Sequence, residues 1–327
     1  MDGLKRVDRH ERERREHSDL APIATRSANS KGRERPEEPD PLRTAFERDR
    51  DRIVHSNAIR RLARKTQVFT DPDNDHFVTR LTHTLQVAQI GRAMAVALRL
   101  NEALTEAICL GHDIGHAPFG HTGEDALAEI VDGGWVHSDH SVRVLSVLEP
   151  LNLTWEVLDG IRAHPWRVQI PPTTPEGVLC RFADRIAYLS HDLIDAMRAG
   201  IIIYQDLPFR AQALLGDRHG RWVTSMVHAV VEASEAAGTV RMDPDVAAAM
   251  AELRAFMFER VYLRPEATRH RARAIRIVRD LVHYFEANES ELPAGSEGGR
   301  SQLQRAVDYV AGMTDRFALR VHAERFG

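Results

Sequence analysis

The chain has 327 residues, 44 basic and 48 acidic side chains, a formal net charge of −4 and 43% hydrophobic residues. A nucleic-acid binder acting through bulk charge is excluded, because such domains are strongly basic, and any anion site must be a local cluster. The length supports one large or two modest domains with a sizeable core, and no apolar run reaches the ~18–20 residues of a membrane span.

The first stretch, MDGLKRVDRHERERREHSD, is charged and lacks an apolar h-region, so it does not read as a secretory signal. A mobile charged tail or a frayed helix is expected there. APIATRSANSKGRERPEEPDPLRT follows, rich in Ser, Pro, Gly and charge. It reads as a long loop wrapped on a domain surface, or as partly disordered. From Phe46 the pattern turns helical in FERDRDRIVHSNAIRRLARK, where Arg60, Arg61 and Lys65 make a strongly basic face. For these three, a solvated face paired with nearby acids is at least as good a reading as ligand contact. Asp71–His76 is a turn.

In TRLTHTLQVAQIGRAMAVALRL, Leu81, Leu85, Ala88, Ala95 and Leu98 keep to one helical stripe. Asn101 is placed to cap a further helix, which breaks at the glycine-rich GHDIGHAPFGHTGED. Short helices are predicted over 122–131, 139–149 and 154–163. After PPTTPEG a long one covers 176–199, and others follow near 208–215, 220–237, 244–263, 266–288 and 301–324. Aromatics are sparse, Ala, Leu and Arg recur, and strand-rich runs are missing, so the architecture is read as all-α. Cys109 and Cys180 lie in apolar helical runs and are expected to be reduced core residues of a cytosolic protein.

A metal site needs ligand atoms from separate elements. His83 lies on the helix that begins near Thr79, and His112 and Asp113 close the next long helix. Gly111 and Gly115 ease a bend that lets both side chains of the doublet reach one ion. RFADRIAYLSHD offers Asp184 as a fourth ligand. A second doublet, His191–Asp192, lies inside a continuous helix with its side chains about 100° apart and is rejected as the metal pair. Further along, His121 and Glu124 are spaced so that, if a helix begins near Thr122, the carboxylate can hydrogen-bond the imidazole and fix its tautomer. Asp125 is expected to be a solvated first-turn residue.

A lone histidine, a His-Asp doublet and a distant aspartate resemble the signature of the HD-domain superfamily of metal-dependent phosphohydrolases. RDRDRIVHSNAIRRLARKTQVF, TRLTHTLQVAQIGR, GHDIGHAPFGHTGE and ADRIAYLSHDLIDAMRAGI are similar to the deoxynucleoside triphosphate triphosphohydrolases, the dGTPase-like family. LAPIATRSANSKGR is similar to that family's N-terminal segment, and the resemblance covers roughly residues 20–205. The C-terminal third matches loosely, as a helical extension. The implied fold is an HD-domain helical fold, with a charged tail and loop over 1–45, a phosphohydrolase core over 46–205 and a C-terminal helical region over 206–327.

The resemblance implies His83, His112, Asp113 and Asp184 as metal ligands. That N/O set suits Mn²⁺, Mg²⁺ or Fe²⁺, with Ni²⁺ or Zn²⁺ also compatible, and there is no thiolate pair to favour structural zinc. It makes His121 and Glu124 the catalytic dyad, His116 a phosphate contact or proton donor, and His137 a contact near the substrate phosphates. The family usually has Asn and Gln where this chain has Ser138 and His140. His137 and His164 could in principle recruit a second metal, but an ordinary helix-end histidine is the preferred reading of His164. Arg80 and Arg185 match ligand-binding positions, and Gln67 matches a position near the sugar and leaving oxygen. Tyr188 and Asp192 follow Asp184 along one helix face, where they would stack under a deoxyribose and accept from its 3'-hydroxyl.

The implied reaction is hydrolysis of a deoxynucleoside triphosphate at the α-phosphorus, giving the deoxynucleoside and inorganic triphosphate. The family is usually homo-oligomeric, often hexameric, and frequently activated by a nucleotide at a second site. A cytoplasmic enzyme without a membrane partner is expected. Two rivals stand beside this reading: another HD phosphohydrolase (a 5'-nucleotidase or phosphodiesterase), and a non-catalytic nucleotide-sensing regulator. The His121–Glu124 pair and the Tyr188–Asp192 face speak against the first, and the intact ligand set against the second.

Overall fold

In the computed structural model, which describes residues 4–66, 78–216, 219–293 and 301–327, the first five helices each start at a side-chain cap. Asp8 caps α1 (Arg9–Asp19), and Thr44 with Glu47 forms a reciprocal capping box on α2 (Ala45–His55). Ser56 caps α3 (Asn57–Arg61), Thr79 caps α4 (Arg80–Ala97) and Asn101 caps α5 (Glu102–Gly111). Then come α6 (His121–Ile130), α7 (His137–Arg143) with a π-helical turn over Val144–Leu148, α8 (Trp155–Ala163) and α9 (Pro175–Arg198). The remainder is α10 (Phe209–Leu215), α11 (His219–Ala237), α12 (Pro244–Met257) with a π-helical turn over Phe258–Tyr262, α13 (Pro265–Ala287), α14 (Gln302–Ala311) and α15 (Asp315–Phe326). The fold is all-α, and isolated bridges, Arg33 with Thr154 and Thr66 with Thr79, are the only β-type pairings among the described residues. No described helix is long and apolar enough to cross a membrane.

Three local readings change. The charged N-terminal segment holds a helix that is tied down by buried carboxylates. Glu16 accepts from the Ser27 N–H (2.6 Å) and hydroxyl (2.7 Å) and from Asn101 Nδ2 (3.1 Å), while Glu176 holds Thr25 and Glu156 holds Ser30 and Lys31. The loop's backbone donors find partners in this way, and the segment packs on the body. The stretch 301–324 is two helices, because the first ends at Gly312 and Thr314 caps the next. On α4 the buried face runs through Thr84, Val87, Ala88, Gly91, Met94 and Ala95, whereas Leu85 is 55% exposed. Ala88 and Ala95 of the expected stripe are buried and Leu81 and Leu98 pack against the core, so Leu85 is the one member that turns outward, on a helix gripped by both α5 and α9. A Cβ on Gly91 would lie 2.9 Å from Cys109 Sγ. Cys109 and Cys180 are free and buried at this three-helix contact.

Two hydrophobic cores organise the chain. The larger one joins residues of α2 to α5 and α7 to α12, including Phe46, Leu104, Ile161, Leu179 and Met226. The smaller one packs α6 against α13, α14 and α15 through Leu127, Val278, Leu281 and Val307. Ala117 and Phe119, from the glycine-rich turn between α5 and α6, belong to the smaller core, although the turn begins at the end of α5 in the larger one. The turn that carries the histidines is therefore clamped between both.

Candidate active site

α4, the end of α5 and α9 converge on one buried point. His83 Nε2 lies 3.2 Å from Asp184 Oδ1, and His112 Nε2 lies 3.5 Å from Asp113 Oδ1 and 3.9 Å from Asp184 Oδ1. The predicted ligands form two groups that share His112: His83, His112 and Asp184 have ligand atoms within 4.8 Å of one another, and Asp113 lies with His112 and His164. The doublet works because α5 ends at Gly111 and the chain turns at once, with the His116 N–H donating to the Asp113 carbonyl. Gly115 serves close packing: a Cβ there would lie 2.2 Å from the Ser141 backbone nitrogen. His112 Nδ1 donates to the Cys109 carbonyl at 2.6 Å, which orients the ring and leaves Nε2 facing the cluster. That nitrogen is buried without a hydrogen-bond partner and faces two carboxylates. A divalent cation is what such a group lacks, so the residues fit one.

The carboxylates stay ionised. Burial would raise Asp113, but His112, His116 and Arg80 outweigh it and hold the carboxyl well below its ordinary range. Asp184 is held at about 2 against its own burial by the His83 hydrogen bond and by His112.

His164, read as an ordinary helix-end residue, needs correction. Its Nδ1 donates to the Ile161 carbonyl, and its ring sits 5.0 Å from that of His112. Nε2 lies 3.3 Å from His137 Nε2, and ligand atoms of His112, Asp113 and His164 fall within 4.8 Å of one another. Burial, then His112 and His137, push it down to about 3, so it is neutral. Packing of α8 on α7 and α9 carries the helix end into the cluster, and beyond residue type the sequence holds no signal for that.

The second cluster adjoins the first. α6 begins at His121 after Gly120, whose φ of +61° suits a glycine. Glu124 Oε2 lies 3.0 Å from both His121 Nδ1 and His137 Nδ1, and Oε1 accepts from the His137 N–H (3.3 Å) and from the Arg167 guanidinium. Burial alone would raise Glu124, but the hydrogen bonds from His121 and His137 take it far below its ordinary value. His116 stacks on His137 at 3.9 Å between ring centroids and places Nε2 3.2 Å from Asp113 Oδ1, so it links the two clusters. Burial, then Arg80 and His137, keep it neutral. The His121 side chain is 70% exposed, open to an incoming substrate.

Cations and the α9 face complete the site. Arg80 is 1% exposed and donates to Asp113 Oδ2 at 2.7 Å, leaving Nε and one terminal nitrogen buried without partners. Arg185 lies over the Trp166 ring at 4.1 Å. It and Arg254 reach the Tyr188 hydroxyl. Asp192 is buried and accepts from the Tyr262 hydroxyl at 2.7 Å; burial raises it to about 7. His191 turns aside to the Ala187 carbonyl. Gln67 lies outside the described residues. Asp125 is exposed and pairs with Arg271 at 2.6 Å. Lys65 overturns the solvated-face reading: it is 1% exposed, and its Nζ donates to the carbonyls of His116 and Ala311. Arg167, Tyr262 and Asp315, which accepts from the Phe119 N–H, were not legible as site residues, because each arrives from a loop or helix distant in sequence.

Two family models match the chain, the HD domain over residues 80–189 and a phosphohydrolase-associated domain over 240–324. A deoxyguanosinetriphosphate triphosphohydrolase-like protein of Caldanaerobacter subterraneus subsp. tengcongensis is 48% identical over 95% of this chain and 93% of its own length. Proteins of the same name from Desulfatibacillum aliphaticivorans and Clostridium perfringens are 46% and 42% identical, over 94% and 91% of both chains. The chain belongs to the deoxyguanosinetriphosphate triphosphohydrolase-like family. In this family member the HD match runs from α4 to Leu189, spanning both clusters, and the phosphohydrolase-associated match contributes Tyr262 and Asp315. It is an HD-domain phosphohydrolase.

Removing His83 should separate metal from fold. We expect His83→Ala to weaken divalent-metal binding more than about 100-fold, beyond the range for residues that only support a ligand. Elemental analysis after dialysis measures it, and full occupancy would overturn the ligand assignment. Asp192 gives a pH signature. Its folded pKa of about 7 lies above its unfolded value, roughly 3.9. Its contribution to stability is therefore fully present below about pH 4 and lost as pH rises to about 7, on the order of a few kcal/mol. Urea unfolding of Asp192→Asn should lack this fall, so parallel pH curves for the two proteins would count against a proton on Asp192.

Proposed function

We propose that this protein hydrolyses deoxynucleoside triphosphates to the deoxynucleoside and inorganic triphosphate. The observation that carries the reading is the junction of the two clusters: a four-residue N/O set that fits a divalent cation, joined through His116 to the His121–Glu124 pair. In this reading His83, His112, Asp113 and Asp184 hold Mn²⁺, Mg²⁺ or Fe²⁺. The cation supplies Lewis acidity toward a phosphoryl oxygen.

The protein's own groups divide the remaining tasks. The free donors of Arg80, and Arg185, bind phosphate oxygens and offset their charge. His121 has Nδ1 committed to Glu124, so its Nε2 is the atom that exchanges a proton with the ester oxygen. Glu124, kept ionised by His121, His137 and Arg167, orients that ring. Tyr188 lies under the sugar and leaves little room for a 2'-hydroxyl, while Asp192 meets the 3'-hydroxyl, with Tyr262 behind it. The names of the relatives make dGTP the first substrate to test. On the family resemblance alone, the reading also carries a homo-oligomer and a nucleotide activator.

With dGTP and Mn²⁺, ion chromatography should show inorganic triphosphate and deoxyguanosine in equal amounts, with GTP turned over more slowly. Release of pyrophosphate or monophosphate would assign the site to a different HD phosphohydrolase. His121→Ala should keep its metal and its dGTP affinity yet lose about 10²–10⁴ in single-turnover rate, whereas loss of metal in that variant would move His121 into the metal shell.

A further inference from the structure

We propose that Asp315, on a C-terminal helix, is a positioning residue that sets the place of His121, which makes α14 and α15 part of the catalytic apparatus. The proposal rests on the functional reading of His121 above. Asp315 opens α15, is 5% exposed and uses both carboxylate oxygens. Oδ1 accepts from the Phe119 N–H at 2.9 Å. Oδ2 accepts from the Thr66 N–H (3.0 Å) and hydroxyl (2.6 Å).

Phe119 is the residue that needs holding. Its φ is +63°, in the left-handed region that a bulky residue rarely adopts, and Gly120 follows at +61°. Such a conformation persists only where its surroundings impose it. The surroundings here are the smaller core, which takes the Phe119 ring, and Asp315, which takes its buried N–H. His121 comes two residues later as the first residue of α6, so the path of this turn sets where its ring stands relative to the phosphates. Two more contacts tie the same helices to the site. Lys65 bridges the carbonyls of His116 and Ala311, and Arg143, at the end of the helix that carries His137, pairs with Asp308 at 2.7 and 2.6 Å. Asp315 is distinct among these because one buried side chain accepts from Phe119 in the turn and from both donors of Thr66.

Asn is nearly isosteric with Asp but presents one acceptor and one donor. It cannot accept from Phe119 and Thr66 at once. A displacement of about 1 Å in a reacting group lowers a rate by about 10²-fold.

The test uses the full-length protein with Mn²⁺ and dGTP, as wild type, Asp315→Asn, His121→Ala and the double variant. We expect Asp315→Asn to lower the single-turnover rate about 10–100-fold with metal content and dGTP affinity unchanged. In the His121→Ala background the same substitution should change the rate by less than about threefold, because residues that act as a unit are not additive. A merely structural role would give equal losses in both backgrounds, and that result overturns the proposal. Hydrogen exchange followed by mass spectrometry supplies a readout independent of activity. Exchange should quicken in 115–124 and stay unchanged in α4 and α9, and a uniform rise along the chain would count against the clamp. Should Asp315→Asn fail to fold, Thr66→Val removes one partner of the same carboxylate. It should give a smaller loss with the same dependence on His121, and equal losses in both backgrounds overturn the proposal there too. If the wild type releases no triphosphate, the functional reading fails, and the exchange pattern still decides the clamp.

Discussion

Asp113 is 4% exposed, and its buried carboxylate is met by the Arg80 guanidinium at 2.7 Å, with His112 and His116 beside it. Each of those partners belongs to a different task. His112 shares the point where a cation fits, Arg80 keeps two buried nitrogens without partners, and His116 leads to the second cluster. A buried charge that lost one of these neighbours would be left partly uncompensated, which is strongly unfavourable. The site is thus arranged around the electrostatic needs of one side chain, and the packing of α4, α5 and α9 follows from the need to bring these groups within reach.

The same logic operates at Glu124. Its two oxygens engage His121, His137 and Arg167, three side chains from α6, α7 and the loop after α8. Two buried carboxylates, Asp113 and Glu124, are connected by the stacked rings of His116 and His137. Both rings are held in the cluster by neighbours on several sides, and the neutral state of His116 spares the interior another charge. His121 is the member that faces outward, with its side chain 70% exposed.

The two cores explain why the chain needs its C-terminal helices. α6 has one end in the cluster and its apolar face on α13 to α15, so the turn that carries His116 and His121 is fixed from both sides. Buried polar contacts such as Lys65 to Ala311 and Asp315 to Phe119 add direction that apolar packing lacks. The buried Lys65, pushed down to about 7 by its burial, is tolerated because two carbonyls meet its donors.

The sequence by itself determined the helices, since caps such as Thr44, Thr79 and Asn101 and the glycine-rich break after α5 are local signals. It also marked positions whose spacing is short or whose words are distinctive, and which the fold gathers: the doublet at 112–113, the pair His121 and Glu124, and the line from Asp184 to Asp192. Only the tertiary structure decided which other groups join them. His164, Arg167, Tyr262 and Asp315 come from elements whose approach depends on packing angles, and Lys65 changes from a solvated face to a buried bridge because α14 covers it. On α4 the expected stripe is buried or packed on the core except at Leu85, and Gly91 lets α5 approach closely, a contact that periodicity alone does not show. Local spacing fixes what lies on one helix, and the company that helix keeps is set by contacts between residues far apart in the chain.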